Sequence, residues 1–325
     1  MQFVKLMRVL ASTAALSLSV LDGAAHAQSA IDKPVHLVVP FAAGGATDAI
    51  GRVLGKKVGE VLGVPVIVEN RPGAGGTIGI DYVARASADS NTIVLVNALQ
   101  HTSSVKLYPD LKYDAIRSFR PLASIGTLRY MLVVNPDFPA ADYAAYIRLV
   151  RAQPGKFSYA SAGVGSAPHL VMELFASMEG LKMLHVPYNG SGPAMNDVIA
   201  NHVQVSMDNV AAVPLVKAGR LRALAISGNR RSDAFPNLPT FAEAGARDFN
   251  VVGVWGVLAP AAMPERTAAA LGDAIQQALK DAAVTETLVG QGIAPEYGPA
   301  TQFTQTLREE AERWSKLIDL VKIKL

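Results

Sequence analysis

The sequence predicts an α/β fold built on mostly parallel sheets. Two features predict it. Short runs rich in Val, Ile and Leu alternate with helix-period patterns almost throughout. Several runs end in a glycine-containing turn that leads directly into a helical pattern, at Pro40 to Asp48, Ala162 to His169 and Tyr188 to Pro193. In such sheets ligands sit beyond the carboxyl ends of the strands, where these turns lie. Two sheets facing each other would form a cleft between domains.

The first residues stand apart from that pattern. Lys5 and Arg8 form a basic start, residues 9–21 an apolar core, and Ala25-His26-Ala27 a small-x-small cleavage signal. Residues 1–27 therefore read as a signal peptide, with Gln28 as the first mature residue of an exported, soluble protein. No other stretch approaches the roughly 18 uninterrupted apolar residues of a spanning helix. The absence of Cys excludes disulfides and a lipid anchor on cysteine, so stability rests on the core, which a chain of this length can supply. Removing residues 1–27 takes away Lys5, Arg8 and Asp22, which leaves 28 basic and 26 acidic of the original 30 and 27. A small net charge of mixed sign, with no basic cluster interleaved with aromatics, speaks against a nucleic-acid partner.

Residues 35–39 have the length and branching of a buried strand. Past Gly44 and Gly45, with Thr47 or Asp48 as N-cap, Ile50, Val53, Leu54, Val58, Val61 and Leu62 fall on one helical face. Gly51, Gly55 and Gly59 recur on that helix, each costing up to about 1 kcal/mol against Ala, and predict close packing against a neighbouring element. Residues 64–69 form a second strand. Asn70 to Gly79 looks like a dinucleotide fingerprint, but the position that needs a further glycine holds Ile78. A tight loop opening a helix over 80–86 fits better.

Residues 92–97 form a third strand, followed by a long irregular stretch holding His101-Thr102 and Leu107-Tyr108-Pro109. A strand over 130–135 and a helix over 142–152, ended by Pro154-Gly155, come next. Residues 157–161 are a strand; past Gly163 and Gly165, Ser166 fits N-cap, Pro168 the first turn, and Leu170, Leu174, Phe175 and Met178 one helix face. A strand over 183–187 leads through Gly190 and Gly192 to a helix opened by Pro193. Strands over 203–207, 222–227 and 251–258 follow, with a short helix over 211–218. The tail is helical, over 265–280 and then along the stripe Phe303, Leu307, Ala311, Trp314 and Ile318. One strong strand followed by helices makes this tail the completion of an earlier sheet. Residues 28–128 with 250–325 are therefore expected to form one domain and 129–249 the other, with crossings near Leu128–Tyr130 and Asp248–Val251.

A turn that leaves N–H groups unpaired at a helix start favours an anion. Pro40 to Asp48 thus reads either as half of a carboxylate site or as an ordinary strand-to-helix turn. The first two loops contain no Lys or Arg, so an anion there would be held by backbone N–H groups, hydroxyls and bridging waters. Ser166 and His169 could serve as nucleophile and base, although their flanks do not match a nucleophile elbow; a secreted hydrolase is the rival reading. His169 and Glu173 lack a further His at metal-ligand spacing, and no phosphate-loop motif exists, so neither a metal nor a cofactor is expected. Asp208, directly behind a strand, reads as a helix cap or as a contact to a ligand donor.

With these residues in view, Val39-Pro40-Phe41-Ala42-Ala43-Gly44-Gly45-Ala46-Thr47-Asp48 followed by Val68-Glu69-Asn70-Arg71-Pro72-Gly73 resembles the Bug proteins, periplasmic substrate-binding components of tripartite tricarboxylate transporters. The resemblance continues through Tyr159 to Ser166, His185-Val186-Pro187-Tyr188, Lys217 to Ala225, Pro239-Thr240 and Trp255, and spans nearly all of the mature chain. It implies a periplasmic-binding-protein fold of two α/β domains joined by two crossovers, with a ligand carboxylate held in the cleft between them, partly through ordered waters. Carried over, the implied site is Ala43, Gly44, Gly45, Thr47 and Asp48 on one side and Ser161, Gly163, Gly165, Ser166 and His169 on the other. Asp208 lies nearby, and Asn97, Ala98 and His101 line the distal end. The resemblance implies a non-enzymatic monomer that delivers a small organic carboxylate to membrane transporter subunits, or that serves a sensing system. Met207 and Asn189 stand where the family commonly has Phe and Lys.

Overall fold

The structure, a computed structural model, describes residues 31–208 and 211–321. The expected signal peptide lies outside the described residues. In chain order the elements are β1 (Val35–Val39), α1 (Ala46–Leu62), β2 (Val66–Asn70), α2 (Thr77–Ala84), β3 (Thr92–Asn97), α3 (Ala98–Leu107), β4 (Phe119–Arg129), β5 (Met131–Val134), α4 (Tyr143–Ala152), β6 (Ser158–Ser161), α5 (Ala167–Met178), β7 (Leu184–Pro187), α6 (Ser191–Ile199), β8 (Val205–Asp208), α7 (Ala212–Lys217), β9 (Arg222–Ile226), α8 (Phe241–Ala244), β10 (Val252–Pro260), α9 (Glu265–Ala278), α10 (Ala282–Gly290), β11 (Ile293–Pro299) and α11 (Ala300–Val321).

The strands form two sheets, one in the order β11-β4-β10-β3-β1-β2 and the other in the order β7-β6-β8-β5-β9. The chain changes sheets across Tyr130, between β4 and β5, and returns between β9 and β10. Both sheets are mixed, which corrects the expectation of mostly parallel pairing. β1 pairs parallel with β2 and β3, but β10 runs antiparallel to both β3 and β4, and β11 antiparallel to β4. In the second sheet β6 is parallel to β7 and β8, while β5 is antiparallel to β8 and β9. Every antiparallel pair includes β4, β5 or β10, strands that flank the two crossings.

Two segments differ from the sequence reading. The irregular stretch after β3 contains α3 and the start of β4, and the tail holds a further strand, β11. β4 escapes the pattern because Arg120, Pro121, Ser124, Gly126 and Thr127 interrupt its apolar residues. β11 carries Pro295 and Pro299, which an edge strand tolerates.

The glycine row on α1 does what its spacing predicts. A methyl group on Gly51 would lie 2.6 Å from Val39 Cγ2, and one on Gly59 would lie 2.9 Å from Val64 O, so the helix lies flush on β1 and β2. Gly51→Leu is therefore expected to lower stability by about 1–3 kcal/mol through overpacking, read as a drop in urea midpoint at unchanged slope. In α11, Phe303, Leu307, Trp314 and Ile318 are buried as their stripe implies, and the Trp314 indole N–H donates to Glu310 Oε2 at 3.0 Å. No helix among the described residues is long and apolar enough to cross a membrane.

Candidate functional site

A cavity of about 270 Å³ lies between the two sheets. Glycine turns supply its upper wall: Phe41 to Thr47 ahead of α1, Ala162 with Ala167 and Pro168 at the start of α5, and Asn189 to Pro193 at the start of α6. Strand ends and the crossing between sheets supply the floor, through Asn97, Leu128, Tyr130, Asp208 and Trp255. Loops from the two halves approach each other at its edge. A methyl on Gly192 would stand 3.9 Å from Gly45 Cα. Outside the cavity, the Tyr108 hydroxyl of one domain donates to Val164 O of the other at 2.7 Å.

Helices α1, α5 and α6 all begin at this cavity, and among the described residues none of the three has a capping hydrogen bond from its N-cap side chain. Each helix start carries the equivalent of roughly half a positive elementary charge. Among the described residues, no Lys or Arg lines the cavity. The electropositive element of the wall is therefore backbone, fixed in place by the folds of two domains.

The two principal glycine loops are fastened in the same way. Gly44 N–H donates to Asp48 Oδ2 at 2.9 Å, and Gly165 N–H donates to His169 Nδ1 at 3.0 Å. In each loop an acceptor one turn into the helix pins the glycine four residues earlier. Asp48 is buried and also accepts from Arg52 Nε at 2.8 Å and Asn70 Nδ2 at 2.9 Å. Burial opposes its ionisation, but the bonds from Arg52, Gly44 and Asn70, with the Arg52 charge, outweigh it and hold the carboxyl below the usual range.

His169 accepts at Nδ1, so its neutral ring carries the proton on Nε2. It stacks on His185 with ring centroids 4.1 Å apart, and His185 stacks on Tyr159 at 4.8 Å. Burial pushes His169 down to about 3, with the His185 ring adding, and pushes His185 down to about 4. His185 Nε2 and Ser161 Oγ share a hydrogen bond of 2.7 Å, and Ser161 Oγ accepts from Gly163 N–H at 3.2 Å. Ser166 Oγ is buried and makes no hydrogen bond among the described residues, so no Ser166–His169 dyad is wired.

The residues singled out from the sequence thus divide. Ala43, Gly44, Gly45, Thr47, Asn97 and Asp208 line the cavity. Asp48, Ser161, Gly163, Gly165, Ser166 and His169 lie behind its wall and shape the loops, and the N–H groups of Gly44, Gly163 and Gly165 are engaged internally. Ala98 packs in the core. His101 is fully buried against Tyr113 and Phe119. Its Nε2 donates to Ala115 O at 2.7 Å, and burial pushes it down to about 4. The sequence reading named the α6 turn, the Leu128–Tyr130 crossing and Trp255 without counting them among the site residues, and it did not name Gln100. The α6 turn was visible as another strand–glycine–helix junction; the floor residues come from strands distant in sequence and left no local signal.

Asp208 closes the α6 side. Its Oδ2 accepts from Ser191 Oγ at 2.6 Å and its Oδ1 from Ala211 N at 3.3 Å. Tyr130 OH accepts from Asn97 Nδ2 at 3.3 Å. No cluster of three or more metal-ligating side chains occurs among the described residues.

The profile of the tripartite tricarboxylate transporter family receptor matches residues 50–323. BugT of Bordetella pertussis is 34% identical over 288 residues, 88% of this chain and 88% of that protein. The structure of Rpa4515 of R. palustris with adipate superposes with a TM-score of 0.85 at 31% identity, covering 90% of this chain and 98% of that one. MatC (Rpa3494) of Rhodopseudomonas palustris with bound malate superposes with a TM-score of 0.85 at 30% identity, covering 88% of this chain and 99% of that one. The two-sheet architecture, the interdomain cavity and these likenesses agree, and the chain belongs to the TctC family of tripartite tricarboxylate transporter receptors, the solute-binding family that includes the Bug proteins.

Proposed function

We propose that this protein is a periplasmic receptor whose two domains close on a small organic carboxylate and deliver it to the membrane subunits of a tripartite tricarboxylate transporter. The observation that carries the reading is the convergence of three uncapped helix starts on one interdomain cavity, with no cationic side chain among its described lining residues. Such a site binds an anion through fixed dipoles and N–H groups at Gly45, Ala46, Thr47 and Ala167. The relatives solved with adipate and malate support the ligand class. The domains of the receptor are residues 28–128 with 250–325, and 129–249. Residues 1–27 direct export, and the mature chain works as a monomer without cofactor or catalysis. Asp48, Ser161, Gly163, Gly165, Ser166 and His169 act by holding the loops in shape.

A thermal-shift screen against a carboxylate panel tests this. A cognate ligand at 100 times its dissociation constant adds about 2.7 kcal/mol of stability. Absence of any shift across the panel, or ester or amide turnover lost in Ser166→Ala, would overturn the receptor reading.

A further inference from the structure

We infer that the Tyr130 hydroxyl is a specificity-determining contact, which donates a hydrogen bond to an oxygen at the ligand's inner end. The receptor accordingly favours carboxylates with an acceptor at that end over carboxylates that end in hydrocarbon. The inference rests on the receptor reading above and deepens it.

Tyr130 lies between β4 and β5, where the chain changes sheets, and forms part of the cavity floor. Its backbone is held on both sides by Ser227. The Tyr130 N–H donates to Ser227 Oγ at 2.8 Å, and its carbonyl accepts from Ser227 N–H at 2.8 Å. Ser227 is fully buried, and its own hydroxyl donates to Val251 O on the returning crossing. At the tip of the side chain, the phenol oxygen accepts from Asn97 Nδ2 at 3.3 Å. Asn97 is oriented in turn by Gln100 N–H, which donates to its Oδ1. A methyl on Gly253 would stand 3.0 Å from the phenol oxygen, so the bare glycine leaves that oxygen its place. Both crossings and the end of β3 thus fix the hydroxyl before a ligand arrives.

Asn97 uses the phenol oxygen as an acceptor, which leaves the hydroxyl proton to be given away. Tyr130 O–H donates no hydrogen bond among the described residues. Burial pushes the phenol far above its usual range, so the proton is present at neutral pH. Tyr130 is 2% exposed, and a buried donor left without an acceptor is costly. Tyr130 and its partner Asn97 both line the cavity, so the missing acceptor can come from a ligand there. With the carboxylate at the glycine turns of the upper wall, the group that meets the floor is the ligand's inner end. An oxygen at that end satisfies the hydroxyl, whereas a methylene leaves it unpaired. A site that keeps such a donor rejects analogues that lack the matching group.

Calorimetric titration at pH 7 with matched pairs tests this: 4-oxopentanoate and pentanoate, 5-oxohexanoate and hexanoate, 6-oxoheptanoate and heptanoate, 4-acetylbenzoate and 4-ethylbenzoate. Each pair differs only in a carbonyl in place of a methylene, which adds an acceptor without adding charge or a donor. The keto acid of the best-fitting pair is expected to bind at least about tenfold tighter than its partner. Tyr130→Phe is expected to remove that preference by weakening the keto acid without weakening its partner, which loss of the fold would not do. Keto acids that bind no tighter than their partners, or a preference that survives Tyr130→Phe, overturn the inference and leave the receptor reading standing. If all four pairs are silent, Tyr130→Phe is compared with the wild type on the carboxylate that gives the largest thermal shift. Unchanged affinity then overturns the inference, and a loss of about tenfold at an unchanged melting temperature supports it. Silence from every carboxylate overturns both.

Discussion

Replacing Gly75 by Val is expected to abolish ligand binding while both domains stay folded. Gly75 lies in the loop before α2, at φ +62°, where its backbone meets the other domain. A methyl there would stand 2.2 Å from Val164 O and 3.1 Å from Ser166 N. Neither is a flexible side-chain tip, so the clash is relieved only by moving the domains apart. Separation would draw the α1 and α5 starts away from each other and admit water between them, and binding should fall by on the order of a hundredfold or more. Gly180→Val is the control: it shares the left-handed backbone, at φ +63°, but has nothing within 4 Å. Titration calorimetry would find binding retained in Gly180→Val and lost in Gly75→Val. Small-angle scattering would find the Gly75 variant expanded even with ligand present. Full affinity in Gly75→Val would show that this contact is not part of the closed state.

The second large effect is on acid stability. His101, His169 and His185 are each held neutral by burial, with their protonation pushed down to about 4, 3 and 4. The unfolded chain protonates the same groups near pH 6.5. Below that value the unfolded state binds protons that the folded state refuses, so stability is full above pH 6.5 and declines as pH falls toward 4. Each histidine contributes about 1.4 kcal/mol per pH unit in that window. Urea titrations between pH 7 and 4.5 would measure the slope. His169→Asn, whose amide oxygen can still accept from Gly165 N–H, should flatten it by about one histidine's share. An unchanged slope would mean that His169 is already charged in the fold.

The legible parts of this protein were the local ones. β1, β3 and the α11 stripe could be read because their periodicity needs only neighbouring residues. The loops at Gly44 and Gly165 were visible for the same reason, since strand, turn and helix follow one another directly. What lay hidden was decided at a distance. β4 forms a long strand despite Pro121 and Gly126 because β10 and β11 pair with it on either side. Leu128, Tyr130 and Trp255 become a cavity floor only when both sheets exist. The pins Asp48 and His169 were recognised as important residues, but their role as acceptors for the glycine N–H groups depends on side-chain rotamers that sequence spacing does not specify. His101 sits one helical turn beyond the floor residue Asn97, yet its ring faces Tyr113 and Phe119 in the core.

The position of β10 bears on when this chain can fold. Among the described strands β10 lies between β3 and β4, which do not pair with each other, and β4 pairs only with β10 and β11. A chain emerging amino end first thus carries β4 without a neighbour until residues beyond 252 have also emerged. The pairing of Trp255 with Asn97 then closes a loop of nearly half the chain, and contacts of such long sequence separation form slowly. The first domain is consequently a late product of folding. The larger sheet therefore cannot lock while the carboxyl-terminal strands are still being made.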